Sequence, residues 1–192
     1  MDIQNQTEQE KNSGLIKEIE NIYRNNSIGF LLFKYINRNY YDHMIQDIFI
    51  DKTFENGTDF NYSKCFNLTI NLSDIDVPLG SAAMNEFLKK EIALYRLEIQ
   101  ISLLAPYAMR KYLKYELIEG QLQLSSSDEP YLEEFEGEEV LVHRFMREIG
   151  YCLLNDETLK SRVSNVVLEL QKGVPSVYNC LFEDSDSTYP YS

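Results

Sequence analysis

Leu94-Tyr-Arg-Leu-Glu-Ile-Gln-Ile-Ser-Leu103 is the stretch on which the fold turns. Leu97, Ile99, Ile101 and Leu103 alternate with Arg96, Glu98, Gln100 and Ser102. A period of two belongs to a β-strand, whose successive side chains point to opposite faces, so one face is expected on a core. Pro106 interrupts the pattern, because proline has no amide hydrogen to give to a ladder. Beyond it Met109, Lys111, Leu113, Tyr115 and Leu117 continue an extended pattern, Glu119-Gly120 supplies a turn, and Leu122 and Leu124 mark a third strand. Three strands with short connections predict an antiparallel meander around residues 94–126. The face carrying Arg110, Tyr112, Lys114 and Glu116 is expected to be solvated.

Strands are also predicted near 66–72, where Phe66, Leu68, Ile70 and Leu72 alternate with polar residues, and near 166–170, in Val166-Val-Leu-Glu-Leu170. Between them lie helical signals. Ser81 is placed to cap a helix bearing Met84, Phe87 and Leu88 on one face, and Val140, Leu141, Phe145, Met146 and Ile149 form a helical stripe that Gly150 ends. Asp156 is placed to cap a short helix, and residues 174–182 suit a last strand or a short helix. At the other end, Ser13 is placed to cap a helical pattern in Leu15, Ile16, Ile19, Ile22 and Tyr23, and residues 28–50 read as helical with a break near Asn37-Arg-Asn39. The expected class is α+β, an antiparallel sheet packed against helices. One domain is expected over residues 14–182, between a disordered tail at 1–13 and a flexible acidic tail at 183–192.

With 192 residues, 44% of them hydrophobic, the chain is long enough to bury a core. Residues 1–13 lack the apolar core of a signal peptide, and the longest apolar run, Ile28 to Phe33, is far below the roughly 20 residues that span a bilayer. A cytoplasmic protein is expected, without membrane association.

Charge is the main functional lead. The net charge is −13, from 18 Lys and Arg against 31 Asp and Glu, and the imbalance is local. Residues 1–115 hold 13 basic and 15 acidic groups, whereas residues 116–192 hold 5 and 16. Asp128 to Glu139 carries seven carboxylates and no cation, interleaved with Tyr131, Leu132 and Phe135. Such a field repels phosphate backbones, which argues against direct nucleic-acid binding, and it steers a basic protein towards the surface. The candidate partner-binding residues are Asp128, Glu129, Tyr131, Glu133, Glu134, Phe135, Glu136, Glu138 and Glu139. A solvated loop kept for solubility accounts for the same charges, and the three apolar residues equally suit an anchor to the core.

Parts for catalysis are sparse. Two histidines, His43 and His143, lack the i,i+4 partner of a zinc-binding pair, and His143 suits a structural role. Cys65, Cys152 and Cys180 lie far apart without CxxC spacing, so buried free thiols are expected rather than disulfides or zinc ligands. Asp74 and Asp76 lack the stepped oxygens of a calcium loop and suit turn formation. There is no phosphate-binding glycine loop and no nucleophile elbow. No cofactor and no metal are expected. The class these features favour is a non-enzymatic acidic module, of the kind that bacterial immunity proteins and antitoxins use against basic toxins. An enzyme with an Asp/Glu–His site around Asp42 and His43, or a regulatory subunit of a larger assembly, is the alternative.

Overall fold

The computed structural model describes residues 3–25, 37–61, 63–90 and 93–184. Within them β1 (Phe54–Asn56), β2 (Cys65–Asn71), β3 (Leu94–Ser102), β4 (Tyr107–Ile118) and β5 (Gln121–Ser127) lie side by side in sequence order, every neighbour antiparallel. A two-residue strand, β6 (Cys152–Leu153), adds a short parallel pairing to the start of β4. The meander therefore forms as its alternation requires, and the strand near 66–72 extends it. Glu119 and Gly120 both take positive φ, 53° and 80°, which is the backbone of the tight hairpin turn that matches strand twist.

Six helices accompany the sheet among the described residues: α1 (Ile3–Arg24), α2 (Asp42–Ile48), α3 (Ala82–Leu88), α4 (Glu136–Ile149), α5 (Asp156–Lys160) and α6 (Val177–Leu181). The fold is α+β. Local chemistry sets several helix ends. The Ser81 hydroxyl accepts from the Met84 amide at the start of α3, and Gly150 ends α4 at φ 70°. At α5 the cap is Asn155, one residue before the expected Asp156, and its side chain accepts from the Thr158 amide. Residues 174–182 resolve into a helix, α6, opened by a capping box between Ser176 and Asn179.

The sheet is covered on both faces. On one, α4 lies over Tyr112 and Arg110, while Tyr41 beside α2 meets Phe66 and Phe145 edge to face, with centroids 4.8 and 5.9 Å apart. On the other, Met84 and Leu88 of α3 pack with Leu94, Leu113 and Tyr115. The same face meets α6, where Ser102 donates to the Leu181 carbonyl at 2.9 Å. Behind α6 runs α1, whose Tyr23 hydroxyl donates to the Cys180 carbonyl at 2.6 Å.

Four expectations change. Helix α1 already includes residues 3–13, where a tail was expected, and Ser13 is inside it rather than at its cap; Asn12 donates to the Ser161 hydroxyl. The stretch 166–170 is not a strand. Val166 and Leu168 are buried while Val167 and Leu170 are exposed, so two of its apolar side chains rest on the core in irregular chain that finds no ladder partner among the described residues. The Arg110–Glu116 face is not solvated, since α4 covers it and Tyr112 is buried. Finally, Glu183 bridges to Ser63, and the Asp184 carboxylate accepts from the Glu169 and Leu170 amides, so the expected acidic tail is tied down at its first two residues. Residues 28–36 and 185–192, parts of two further expectations, lie outside the described residues.

Candidate functional site

The acidic run begins where β5 ends and is held at defined points. Tyr131 and Phe135 pack on Tyr95, with centroids 6.0 and 5.3 Å apart, and Phe135 is buried. Asp128 pairs with Lys111 at 2.6 Å and accepts from the Asp156 amide. Glu138 pairs with Lys52 at 3.1 Å. Glu139 accepts two bonds from Arg110 Nε, a third contact at 2.6 Å from another guanidinium nitrogen, and the Tyr112 hydroxyl at 2.8 Å. Of the nine candidate residues, these five act as anchors. The remaining four, Glu129, Glu133, Glu134 and Glu136, are exposed beside Leu132 and Val140. The run is thus a turn, a 3-10 segment (Glu133–Phe135) and the first turn of α4, where carboxylates also favour the positive end of the helix dipole.

Electrostatics at the anchor follow the geometry. Burial works to raise the Glu139 carboxyl, but the hydrogen bonds from Arg110 and Tyr112 outweigh it and hold the group below the usual carboxylate range. A carboxylate with a depressed folded value contributes stability above its unfolded value, near pH 4, and loses it as pH falls through the folded value. Glu139→Gln is therefore expected to cost about 1 kcal/mol at neutral pH, a figure reduced for the site's partial exposure. Urea midpoints of parent and variant should converge below about pH 4. A gap that stays constant from pH 7 to pH 3 contradicts this assignment.

No protein-family model, no curated protein and no solved structure matches this chain.

A second polar constellation was missed in the sequence. Arg96, Glu98, Gln100 and Ser102 share one face of β3 with Lys111 of β4, which stands opposite Glu98, and all five are buried. Arg96 donates to Glu55 at 3.1 Å and to the Val77 carbonyl; Gln100 donates to Glu98 at 2.9 Å. Lys111 donates to Asp128 and Asp156. Period two identifies two faces but not what covers each: it sets Arg96, Glu98, Gln100 and Ser102 opposite the expected core side of β3 and Lys111 among the apolar residues of β4, and it takes α3, α5 and α6 to bury them together. The facing charges of Glu98 and Lys111 were the available signal. Nearby, burial and Glu98 raise the Glu183 carboxyl, opposed by a hydrogen bond from Tyr178.

The remaining candidates are dispersed. His43 is exposed, and the neighbouring Asp42 carboxylate accepts from the Asn56 side chain at 2.7 Å, which pins β1 rather than orienting the imidazole. His143 is exposed too, one helical turn from Glu139 at 3.1 Å. Asp74 and Asp76 are exposed in the loop after β2. Among the described residues no group of three His, Cys, Asp or Glu is placed to hold a metal ion, and no helix is long and apolar enough to cross a membrane. Cys65 and Cys180 are buried and burial raises both thiols, Cys180 to about 12, but Cys152 is exposed, contrary to expectation. A thiol reagent at pH 8 is expected to label one cysteine of the native protein, lost in Cys152→Ser, and three after denaturation; fast native labelling of a second would refute the burial of Cys65 and Cys180.

Proposed function

We propose that this chain is a non-enzymatic acidic module that binds a basic protein, an immunity- or antitoxin-type inhibitor that occupies the cationic surface of a toxin. The observation that carries the proposal is the anchoring of the acidic run: Phe135 and Tyr131 are packed on Tyr95, while Glu129, Glu133, Glu134 and Glu136 face outward beside Leu132. A loop kept only for solubility has no need of that frame. Backbone held in advance loses less conformational entropy on binding, and the outward carboxylates it carries present a field that speeds encounter with a cation-rich partner.

The test is a partner captured on the full chain at low salt and measured kinetically. Changing Glu129, Glu133, Glu134 and Glu136 together to glutamine should slow association about tenfold or more and flatten its salt dependence, with little effect on dissociation. Unchanged association kinetics would rule out this surface as the docking face. The substitutions avoid all five anchors, so stability should change little.

A further inference from the structure

The two edges of the sheet are unequal. β1 is three residues long, and its Asn56 is engaged by Arg38 and by Asp42. β5 is seven residues, Gln121-Leu-Gln-Leu-Ser-Ser-Ser127, and among the described residues it pairs only with β4. Sheet edges are ordinarily blunted by charge, proline, shortness or a bulge. β5 contains no charged residue and no proline, and its register with β4 is unbroken from Ile118–Gln121 to Tyr112–Ser127. The two-residue turn also fixes which peptide groups look outward. Ile118 and Gln121 close the hairpin as a bonded pair, so bonding alternates from there, and the amides of Leu122, Leu124 and Ser126 point away from β4.

We propose that the β5 edge is the docking site of the basic partner, which adds an extended cationic strand to the sheet. This rests on the acidic-binder reading above and gives it a mode of contact. Charge complementarity selects the occupant. From Glu116 to Glu139 the sequence holds nine carboxylates and no Lys or Arg, and β5 lies in the middle of that segment. The exposed Glu119 stands at one end of the edge and the exposed Glu129 at the other; Glu116, opposite Gln123 on the strand behind, is paired with Lys114, and Asp128 with Lys111, so the two end carboxylates are the ones open to a partner there. A second copy of this chain would bring the same acidic segment against itself, whereas an alternating basic strand satisfies both the open amides and the field. Main-chain bonds then supply affinity, and lysine or arginine at alternate positions supplies selectivity.

The probe is a strand-length peptide of alternating lysine and valine, with a glutamate–valine peptide as control, titrated into the full chain and followed by amide hydrogen exchange. Exchange at Leu122, Leu124 and Ser126 should slow about tenfold or more at saturation with the basic peptide only. Leu122→Pro removes one outward amide at an exposed position and should weaken binding about tenfold or more. Gln123→Lys should weaken binding and Gln123→Glu strengthen it. Salt-sensitive binding of the basic peptide without protection of those amides, and unaffected by Leu122→Pro, overturns strand addition while leaving the acidic-binder reading intact. Equal binding of both peptides overturns that reading as well. Protection that grows with protein concentration in the absence of peptide makes a second copy the occupant and overturns the proposal.

Discussion

Lys111→Ala is expected to lower the free energy of unfolding by about 3 kcal/mol, read as a drop in the urea midpoint at neutral pH. The lysine side chain is 3% exposed, and Asp128 and Asp156, with which it pairs, are 30% and 32% exposed. Breaking a buried pair by removing one partner commonly costs about 3–5 kcal/mol, and the residual solvation of the aspartates places this case at the low end. The ammonium joins three segments: β4, the turn after β5 and the start of α5. Without it, Asp128 loses its cation and Asp156 keeps the more exposed Lys160, at 3.2 Å, so the two carboxylates are left under-compensated. Lys111→Met restores most of the volume but not the charge, so it should recover only part of the loss. Combining Lys111→Met with Asp128→Asn and Asp156→Asn should recover much more. Equal stability of the Lys111→Met and triple variants would show that lost packing, not uncompensated charge, causes the destabilisation. Because Asp128 opens the acidic run, Lys111→Ala should also loosen that run, seen as faster amide exchange at Glu129 and Tyr131.

Phe145→Ala should cost about 3–5 kcal/mol. Phe145 is fully buried in the middle of α4, edge-on to Tyr41, which is itself edge-on to Phe66 of the sheet. Truncation removes the transfer energy of the ring and leaves a cavity between a helix and a sheet that cannot close around it. Phe145→Leu keeps much of the volume and should cost about half as much or less. A Phe145→Ala loss below about 1 kcal/mol would mean that α4 is not seated as described. The two predictions separate cleanly: one disturbs a polar tie on one face of the sheet, the other an apolar contact on the opposite face, and their effects should add.

The legible parts of the fold were those set by short-range pattern. Alternation at 97–103, the Glu119-Gly120 turn, the Ser81 cap and the Gly150 stop each follow from neighbouring residues, and each stands in the structure where the sequence places it. What could not be read locally was cover. Arg96 and Glu98 have the spacing of a solvated face, Lys111 interrupts the apolar alternation of β4, and the cover of α3 from the preceding segment and of α5 and α6 from distant parts of the chain buries all three. The failure at 166–170 has the same root, because alternating burial marks a surface to lie on and says nothing of a strand to pair with. In the acidic run the sequence offered two uses for Tyr131 and Phe135, outward recognition or inward anchoring, and the packing on Tyr95 selects anchoring. The outward carboxylates were legible; the division of nine residues into five anchors and four outward groups was not.

Long-range closure by α6 carries a consequence for synthesis. Tyr23 reaches Cys180 across 157 residues, the Lys64 amide bonds the Phe182 carbonyl, and Ser102 bonds Leu181. The meander can assemble while the chain is still being made, because its strands are neighbours in sequence. Its polar face lacks the cover of α6, and Tyr23 of α1 lacks its Cys180 acceptor, until residues 177–183 emerge from the ribosome. Until those residues arrive, the nascent protein exposes Ser102 and the apolar side of α1, a window in which a chaperone is of most use and a stalled chain is most prone to aggregate.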